Sequence, residues 1–150
     1  MITTRLRVGA PAAAVHELLV DVDSWTIWSP HVASVRSESR RLHDGWQGDT
    51  RAFFSPSATP MVVDRVRPDG GYSWHSEVGP WRLDYDNAVQ DAGDHSVLEF
   101  TARLSGPAAR WIEMLAAPLS RLGQRRRMTR LAALAELMSK PGRQSGFGTN

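Results

Sequence analysis

A chain of 150 residues, 41% of them hydrophobic and 23% charged, predicts one globular domain rather than a disordered segment. Cysteine is absent, which excludes disulfides, thiolate nucleophiles and cysteine-based metal sites. The net charge is only +2, with arginines concentrated in one run, 121–130. Six tryptophans indicate a wide interior, because each has a large ring and an N–H that needs a partner.

The N-terminal part of the chain predicts one strand followed by two helices. Apolar and polar residues alternate over 2–8, which indicates a strand. Pro11 suits the first turn of a helix, and apolar residues then recur at helical spacing up to Val22. Asp23-Ser24 resembles an N-cap and predicts a second, short helix over 25–28.

Six further strands are expected after Pro30, where apolar residues recur at every second position between turn signals. Their predicted ranges are 32–41, 47–55, 61–67, 72–78, 81–89 and 96–104. A sheet of this kind with one long helix must curl around that helix. This geometry leaves room for a cavity between the two.

The last predicted element is a long helix over 107–139. We expect a kink or break near 116–123, because Pro118 lacks a backbone donor and Gly123 weakens the next turn. Apolar residues that recur three or four positions apart form its expected sheet-facing stripe: Trp111, Leu115, Leu119, Leu122, Leu131, Leu134 and Met138.

Three stretches resemble one known superfamily. The first is the helix pair over 10–30, ending in Trp25-Thr26-Ile27-Trp28-Ser29-Pro30. The others are the hairpin over 66–74, with Trp74 in its second strand, and Gly106-Pro107 before the long helix. Together they resemble the START-like (SRPBCC, helix-grip) superfamily, and most closely its bacterial polyketide cyclase/dehydrase group.

The resemblance implies an α+β helix-grip fold, in which about seven antiparallel strands wrap around the long C-terminal helix. It places two short helices after the first strand and a ligand cavity between sheet and long helix. It implies no shared catalytic constellation, because the superfamily includes enzymes, carriers and sensors. We expect the ligand-binding domain to span 1–139 and a flexible tail to span 140–150.

The candidate ligand-binding residues are aromatic and polar side chains expected to face this cavity. They are Trp28, Phe54, Trp74, Ser76, Trp81, Tyr85, Asn87, Phe100, Trp111 and Met114. A hydroxyl or amide in an apolar cavity can orient a carbonyl or hydroxyl of a ligand. Plain core packing explains the same pattern, so both interpretations stay open, and no catalytic residue is predicted.

No metal or cofactor is expected, because the five histidines lack metal-ligand spacing and no nucleotide-binding motif occurs. Asp84 and Asp86 alternate with Tyr85 and are expected to face solvent. The arginine run offers a surface for nucleic acid or another anionic partner. Apolar residues interrupt the run, so a solvated face is the preferred interpretation for Arg121, Arg125, Arg126, Arg127 and Arg130.

The leading functional prediction is binding of a hydrophobic small molecule that is aromatic, polycyclic or lipid-like. The first alternative is a polyketide aromatase/cyclase or dehydratase that orients its substrate and polarises carbonyls, with Tyr85, Asn87 or Ser76 as donors. The second is an interaction protein that uses the basic helix face. Whether the protein is an enzyme, and whether it is a monomer or a homodimer, stays open.

A cytoplasmic location is expected, because neither a signal-peptide core nor about 18 consecutive apolar residues occurs. Lys140 is the single lysine against many arginines, a usage typical of GC-rich bacterial genomes.

Overall fold

Seven antiparallel strands form one curved sheet around a long C-terminal helix in the computed structural model, which describes residues 1–53 and 55–140. In chain order the elements are β1 (Ile2–Val8), α1 (Ala12–Val20), a 3-10 turn (Val22–Ser24), α2 (Trp25–Trp28), β2 (Val32–Arg36), β3 (Gln47–Ala52), β4 (Thr59–Arg67), β5 (Gly71–Val78), β6 (Trp81–Asp91), β7 (Ser96–Ser105) and α3 (Ala109–Ser139). The strand order is β1-β7-β6-β5-β4-β3-β2. The predicted helix-grip fold is confirmed.

Strand β2 ends five residues earlier than predicted, at Arg36. The Ser37 hydroxyl donates to the carbonyl of Ser39 at 2.7 Å, and the Ser39 hydroxyl donates to that of Arg41 at 2.8 Å. Such local side-chain bonds compete with strand pairing. The resulting loop covers the buried Trp46, whose indole donates to the Ser39 carbonyl at 2.8 Å.

Helix α3 is continuous through Pro118, so the predicted break does not occur. The predicted apolar stripe is also wrong in the first half of the helix, where Trp111, Leu115 and Leu119 are 65%, 78% and 75% exposed. It is wrong as well at Leu122 and at Met138, which are 49% and 64% exposed. The buried residues of α3 all lie in its second half: Gln124, Met128, Leu131, Ala132 and Ala135. The core therefore holds only the second half of the helix.

Hydrogen bonds to residues of β1, β7 and the loop after β1 fasten α3 to the rest of the fold. The Thr4 hydroxyl on β1 donates to Gln124 Oε1 at 2.7 Å. The backbone N–H of Gly9 donates to a carboxylate oxygen of Glu136 at 2.8 Å, and that of Leu104 donates to Glu113 at 2.6 Å. These bonds, spread along the helix, set its position and rotation against β1 and β7.

Gly71 joins α1 to the start of β5. Its N–H donates to Nδ1 of the buried His16 at 3.0 Å. Its φ is +84°, and a Cβ here would lie 1.9 Å from the carbonyl oxygen of Asn87. Only glycine fits, because the backbone conformation is left-handed and the adjacent strand leaves no space for a side chain.

The described residues contain no helix long and apolar enough to cross a membrane. Of the predicted tail, 140–150, only Lys140 lies within the described residues.

We expect Gly71→Ala to lower the free energy of unfolding by more than about 3 kcal/mol, because strain and backbone overlap act together. Gly93→Ala is the matched control, since Gly93 has φ +89° but a Cβ added to it would meet nothing within 4 Å. Gly93→Ala should lower the free energy of unfolding by about 1–2 kcal/mol, because only the backbone strain acts there. Urea denaturation measures both. Equal losses in the two variants would contradict the close approach.

Candidate ligand-binding site

A cavity of about 170 Å³ lies between α2, the sheet and α3. Its lining residues are Trp25, Trp28, Ser29, His31, Val32, Thr50, Arg51, Ala52, Thr59, Met61, Tyr72, Trp74, Tyr85 and Arg127. A cavity of about 150 Å³ engineered in another protein holds benzene. This space therefore fits one aromatic ring.

Two stacked aromatic pairs contribute to the cavity wall. Trp74 on β5 and Tyr85 on β6 are direct neighbours in the strand register, with ring centroids 4.2 Å apart and planes at 8°. Trp25 on α2 stacks on Tyr72 with centroids 6.3 Å apart and planes at 9°. Cross-strand and stacked pairs hold their rings in fixed orientations, so the wall is flat and apolar.

Most buried indole N–H groups are used within the protein. Trp25 donates to the Leu19 carbonyl and Trp28 donates to the Ser24 hydroxyl, both at 3.0 Å. Nε1 of Trp74 is buried and has no partner among the described residues, and the same holds for Oγ of Ser29. Both residues line the cavity, but these two atoms are covered by protein, so a ligand would reach them only after a side-chain rotation.

Arg127 of α3 brings a positive charge to the cavity. Its guanidinium lies over the rings of Trp28 and Phe100, with its central carbon 5.6 and 5.5 Å from their centroids. Its Nε is buried without a hydrogen-bond partner in the part of the chain described, and burial lowers the pKa of the guanidinium. Arg127 as a whole is only half-buried, so its guanidinium keeps part of its hydration, and cation–π contacts of up to about 2 kcal/mol offset part of the remaining desolvation cost.

The titratable groups around Arg127 are neutral at pH 7. Burial, with the charge of Arg127 adding to it, lowers the pKa of His31 to about 4. Burial raises the pKa of Tyr72 to about 12 and also raises the pKa of Tyr85, although Arg127 acts in the opposite direction on both. Neither phenol therefore supplies a negative charge to balance the guanidinium.

A surface groove of about 740 Å³ meets the cavity at His31, Tyr85 and Arg127. Its other lining residues are Pro30, Phe53, Ala102, Leu119, Ser120, Leu122, Gly123, Gln124 and Arg126. The exposed apolar residues of α3 that the core leaves uncovered contribute to this groove. A ligand larger than one ring must extend past Arg127 into it.

Three of the predicted site residues, Trp28, Trp74 and Tyr85, line the cavity together. Phe100 lies beneath the Arg127 guanidinium, and Phe54 lies outside the described residues. That any of them binds a ligand stays a prediction.

The other predicted site residues do not line the cavity. Ser76 is buried and its hydroxyl donates to the Pro60 carbonyl at 2.6 Å, so its polar group is already used. Asn87 is buried beside Tyr72 in the strand register. Trp81, the first residue of β6, donates its N–H to the Pro107 carbonyl and does not line the cavity. Trp111 and Met114 are exposed because they precede the buried half of α3.

The sequence interpretation missed several lining residues, of which Arg127 is the most informative. The arginine run is not one solvated face, because Arg127 turns inward while Arg121, Arg125, Arg126 and Arg130 are exposed. One signal was present in the sequence. Arg127 lies three residues after Gln124 and four before Leu131, which places it on the edge of the buried face.

No aspartate or glutamate in the described part of the chain lines the cavity. Asp84 and Asp86 pair instead with Arg82 and Arg67. Within 1–53 and 55–140, no three His, Asp or Glu side chains come together in a group that could hold a metal ion.

The sequence also matches a known protein family. The model for the family described as polyketide cyclase/dehydrase and lipid transport matches residues 1–136. The chain belongs to this family. No curated protein sequence matches it.

Several solved structures share the fold. The hypothetical protein jhp0584 of Helicobacter pylori has a TM-score of 0.74 at 15% identity, over 89% of this chain and 86% of that one. DynU16, a protein of the dynemicin biosynthetic locus, has a TM-score of 0.69 at 18% identity, over 92% of this chain and 48% of that one. BexL, a di-domain aromatase/cyclase of the BE-7585A pathway, has a TM-score of 0.65 at 20% identity, over 93% of this chain and 47% of that one. This chain thus spans about half of DynU16 and of BexL.

We expect Arg127→Met to stabilise the ligand-free protein by at least about 1 kcal/mol, which raises Tm by about 2–4 °C in a chain of this size. Methionine keeps an apolar stem near Trp28 and Phe100 and removes the cost of burying a charge. Arg126→Met is the matched control at an exposed position and should change Tm little. Differential scanning calorimetry measures all three proteins. A lower Tm for Arg127→Met would show that the charge is compensated in the free protein.

We expect the free energy of unfolding to fall as the pH drops from about 6.5 towards 4. The pKa of His31 is about 4 when folded but near 6.5 when unfolded, so protons bind the unfolded chain first. Allowing for the partial exposure of the ring, the slope should be at most about 1 kcal/mol per pH unit. Urea titrations at pH 7, 6 and 5 should show a smaller slope for His31→Gln than for the exposed control His43→Gln. Identical slopes would contradict this assignment.

Proposed function

We propose that this protein binds an apolar, aromatic small molecule in the cavity between α2, the sheet and α3. The observation that carries the proposal is a ring-sized space with stacked aromatic walls and unused polar atoms on Trp74 and Ser29. Ligand sites generally combine mostly apolar walls with a few convergent polar groups of this kind. A polycyclic or lipid-like ligand would occupy the groove as well.

The chemistry of the cavity favours binding over acid–base catalysis as the first proposal. A general base works best when its pKa lies near the working pH. His31, with its pKa near 4, is a weak base at pH 7, and Tyr85 keeps its proton. Binding of a suitable ligand requires neither group to change protonation state.

A cyclase or dehydratase activity is the second candidate, and the family match favours it. DynU16 and BexL, which share the fold, come from biosynthetic systems. In such a reaction Arg127, Tyr85 and Trp74 would hold a substrate carbonyl oxygen and stabilise the negative charge that develops on it during enolisation, while a water molecule accepts the α-proton. These donors replace Asn87 and Ser76, which do not line the cavity.

Localisation and source stay predictions. A cytoplasmic location and a bacterial origin rest on the sequence features alone.

The binding proposal predicts saturable fluorescence enhancement of the neutral probe N-phenyl-1-naphthylamine. Ala52→Trp should weaken its binding by about tenfold or more, because the added indole fills much of a cavity that Ala52 lines. Ala92→Trp, in an exposed turn, is the matched control and should bind as the unchanged protein does. Absence of saturable binding, or equal binding by Ala52→Trp, would reject this site.

The cyclase candidate predicts an altered ring pattern when the protein is added to a polyketide synthase that releases unreduced poly-β-ketone chains. Tyr85→Phe should shift the products back towards those of spontaneous closure, because it removes a donor to the developing oxyanion. Product analysis by liquid chromatography and mass spectrometry measures the effect. A product pattern identical with and without the protein would exclude the activity on that substrate.

A further inference from the structure

We infer that the ligand carries a carboxylate, which Arg127 holds at the point where the cavity meets the groove. This inference rests on the proposed binding function and adds the charge of the ligand and the place where that charge is bound.

The first argument is the unpaired state of the guanidinium. None of the ion pairs among the described residues includes Arg127, and its Nε is buried without an acceptor. Buried charges in proteins are normally paired and hydrogen-bonded. The face of Trp28 and that of Phe100 stabilise the cation in part, but an aromatic ring accepts no planar pair of N–H bonds.

Second, three residues that line the cavity each carry a buried polar atom without a partner among the described residues. Nε of Arg127 and Nε1 of Trp74 can only donate a hydrogen bond, and Oγ of Ser29 can also donate. A matching ligand must therefore supply acceptor oxygens. A carboxylate has two acceptor oxygens in one plane, which suits the fork of a guanidinium.

The third argument is the charge around the site. Within residues 1–53 and 55–140, no aspartate or glutamate lines the cavity or the groove. Arg51 in the cavity wall and Arg126 in the groove wall add positive charge. An anion entering along the groove therefore meets no carboxylate that would repel it, and low polarity around Trp28 strengthens its pairing with Arg127.

Size determines how such a ligand would lie. One aromatic ring fills the cavity of about 170 Å³, its carboxylate reaches Arg127, and any further rings or chain extend into the groove of about 740 Å³. The ligand class is therefore an aromatic carboxylic acid. The exposed Arg121, Arg125 and Arg130 do not provide an equivalent site, because solvent and salt screen their charges.

The test uses two probes of nearly equal shape, 2-naphthoate and its neutral counterpart 2-naphthamide. The affinity of each compound is measured by its displacement of N-phenyl-1-naphthylamine at constant ionic strength and pH 7. The unchanged protein should bind the acid at least about tenfold more tightly than the amide, about 1.4 kcal/mol. Arg127→Gln should bring this ratio close to one. Arg125→Gln removes the same charge from an exposed position of α3 that lines neither the cavity nor the groove, and it should keep the ratio within about twofold.

Two further measurements keep the outcome interpretable. Circular dichroism and Tm establish that Arg127→Gln is folded, and Arg127→Lys, which keeps the charge without the planar fork, should retain part of the preference for the acid. Two outcomes overturn the inference and leave the binding proposal standing, provided that N-phenyl-1-naphthylamine binds. In the first, the unchanged protein binds 2-naphthoate no more tightly than 2-naphthamide. In the second, Arg127→Gln still prefers 2-naphthoate. An equal loss in Arg125→Gln would assign the effect to general surface charge and would also overturn the inference. If N-phenyl-1-naphthylamine itself does not bind, the proposed binding function is rejected, and the inference is rejected with it.

Discussion

The packing of Met128 and Leu131 into the core sets the rotation of α3, and the site depends on that rotation. Because these side chains face inward, Arg127, on the edge of the same helix face, must lie over Trp28 and Phe100. The neutral state of His31 follows from the same burial and from the nearby cation. A turn of the helix by one residue position would move the charge to solvent and leave only an apolar cavity.

The polar groups that could recognise a ligand also lower the local stability of the free protein. The guanidinium of Arg127 and the indole N–H of Trp74 both lack a hydrogen-bond partner in the described part of the chain, which is unfavourable in the free protein. The surrounding structure tolerates it because the stacked aromatic pairs and the buried half of α3 supply stability elsewhere. Departures from the usual pairing of buried polar groups commonly occur at functional sites, where a bound partner completes the arrangement.

Partial coverage of α3 gives the cavity its route to the surface. The first half of the helix leaves Leu119 and Leu122 exposed, and these residues line the groove that ends at Arg127. Had the core covered the whole predicted stripe, the same apolar residues would have closed this groove. The groove, the charge and the ring-sized cavity are therefore consequences of one arrangement of helix and sheet.

The order of elements was predictable from the sequence, because alternation and helical spacing depend on local chain geometry. That order, with Trp28, Trp74 and Tyr85 at inward positions, was enough to predict the helix-grip fold and part of the cavity wall. The sequence could not show which half of α3 the core covers, so Trp111 and Met114 were assigned inward and Arg127 outward. Nor could it show that Ser76 uses its hydroxyl on Pro60 while Trp74 leaves its N–H free. Such assignments depend on distances between segments far apart in the chain, and only tertiary packing determines those distances.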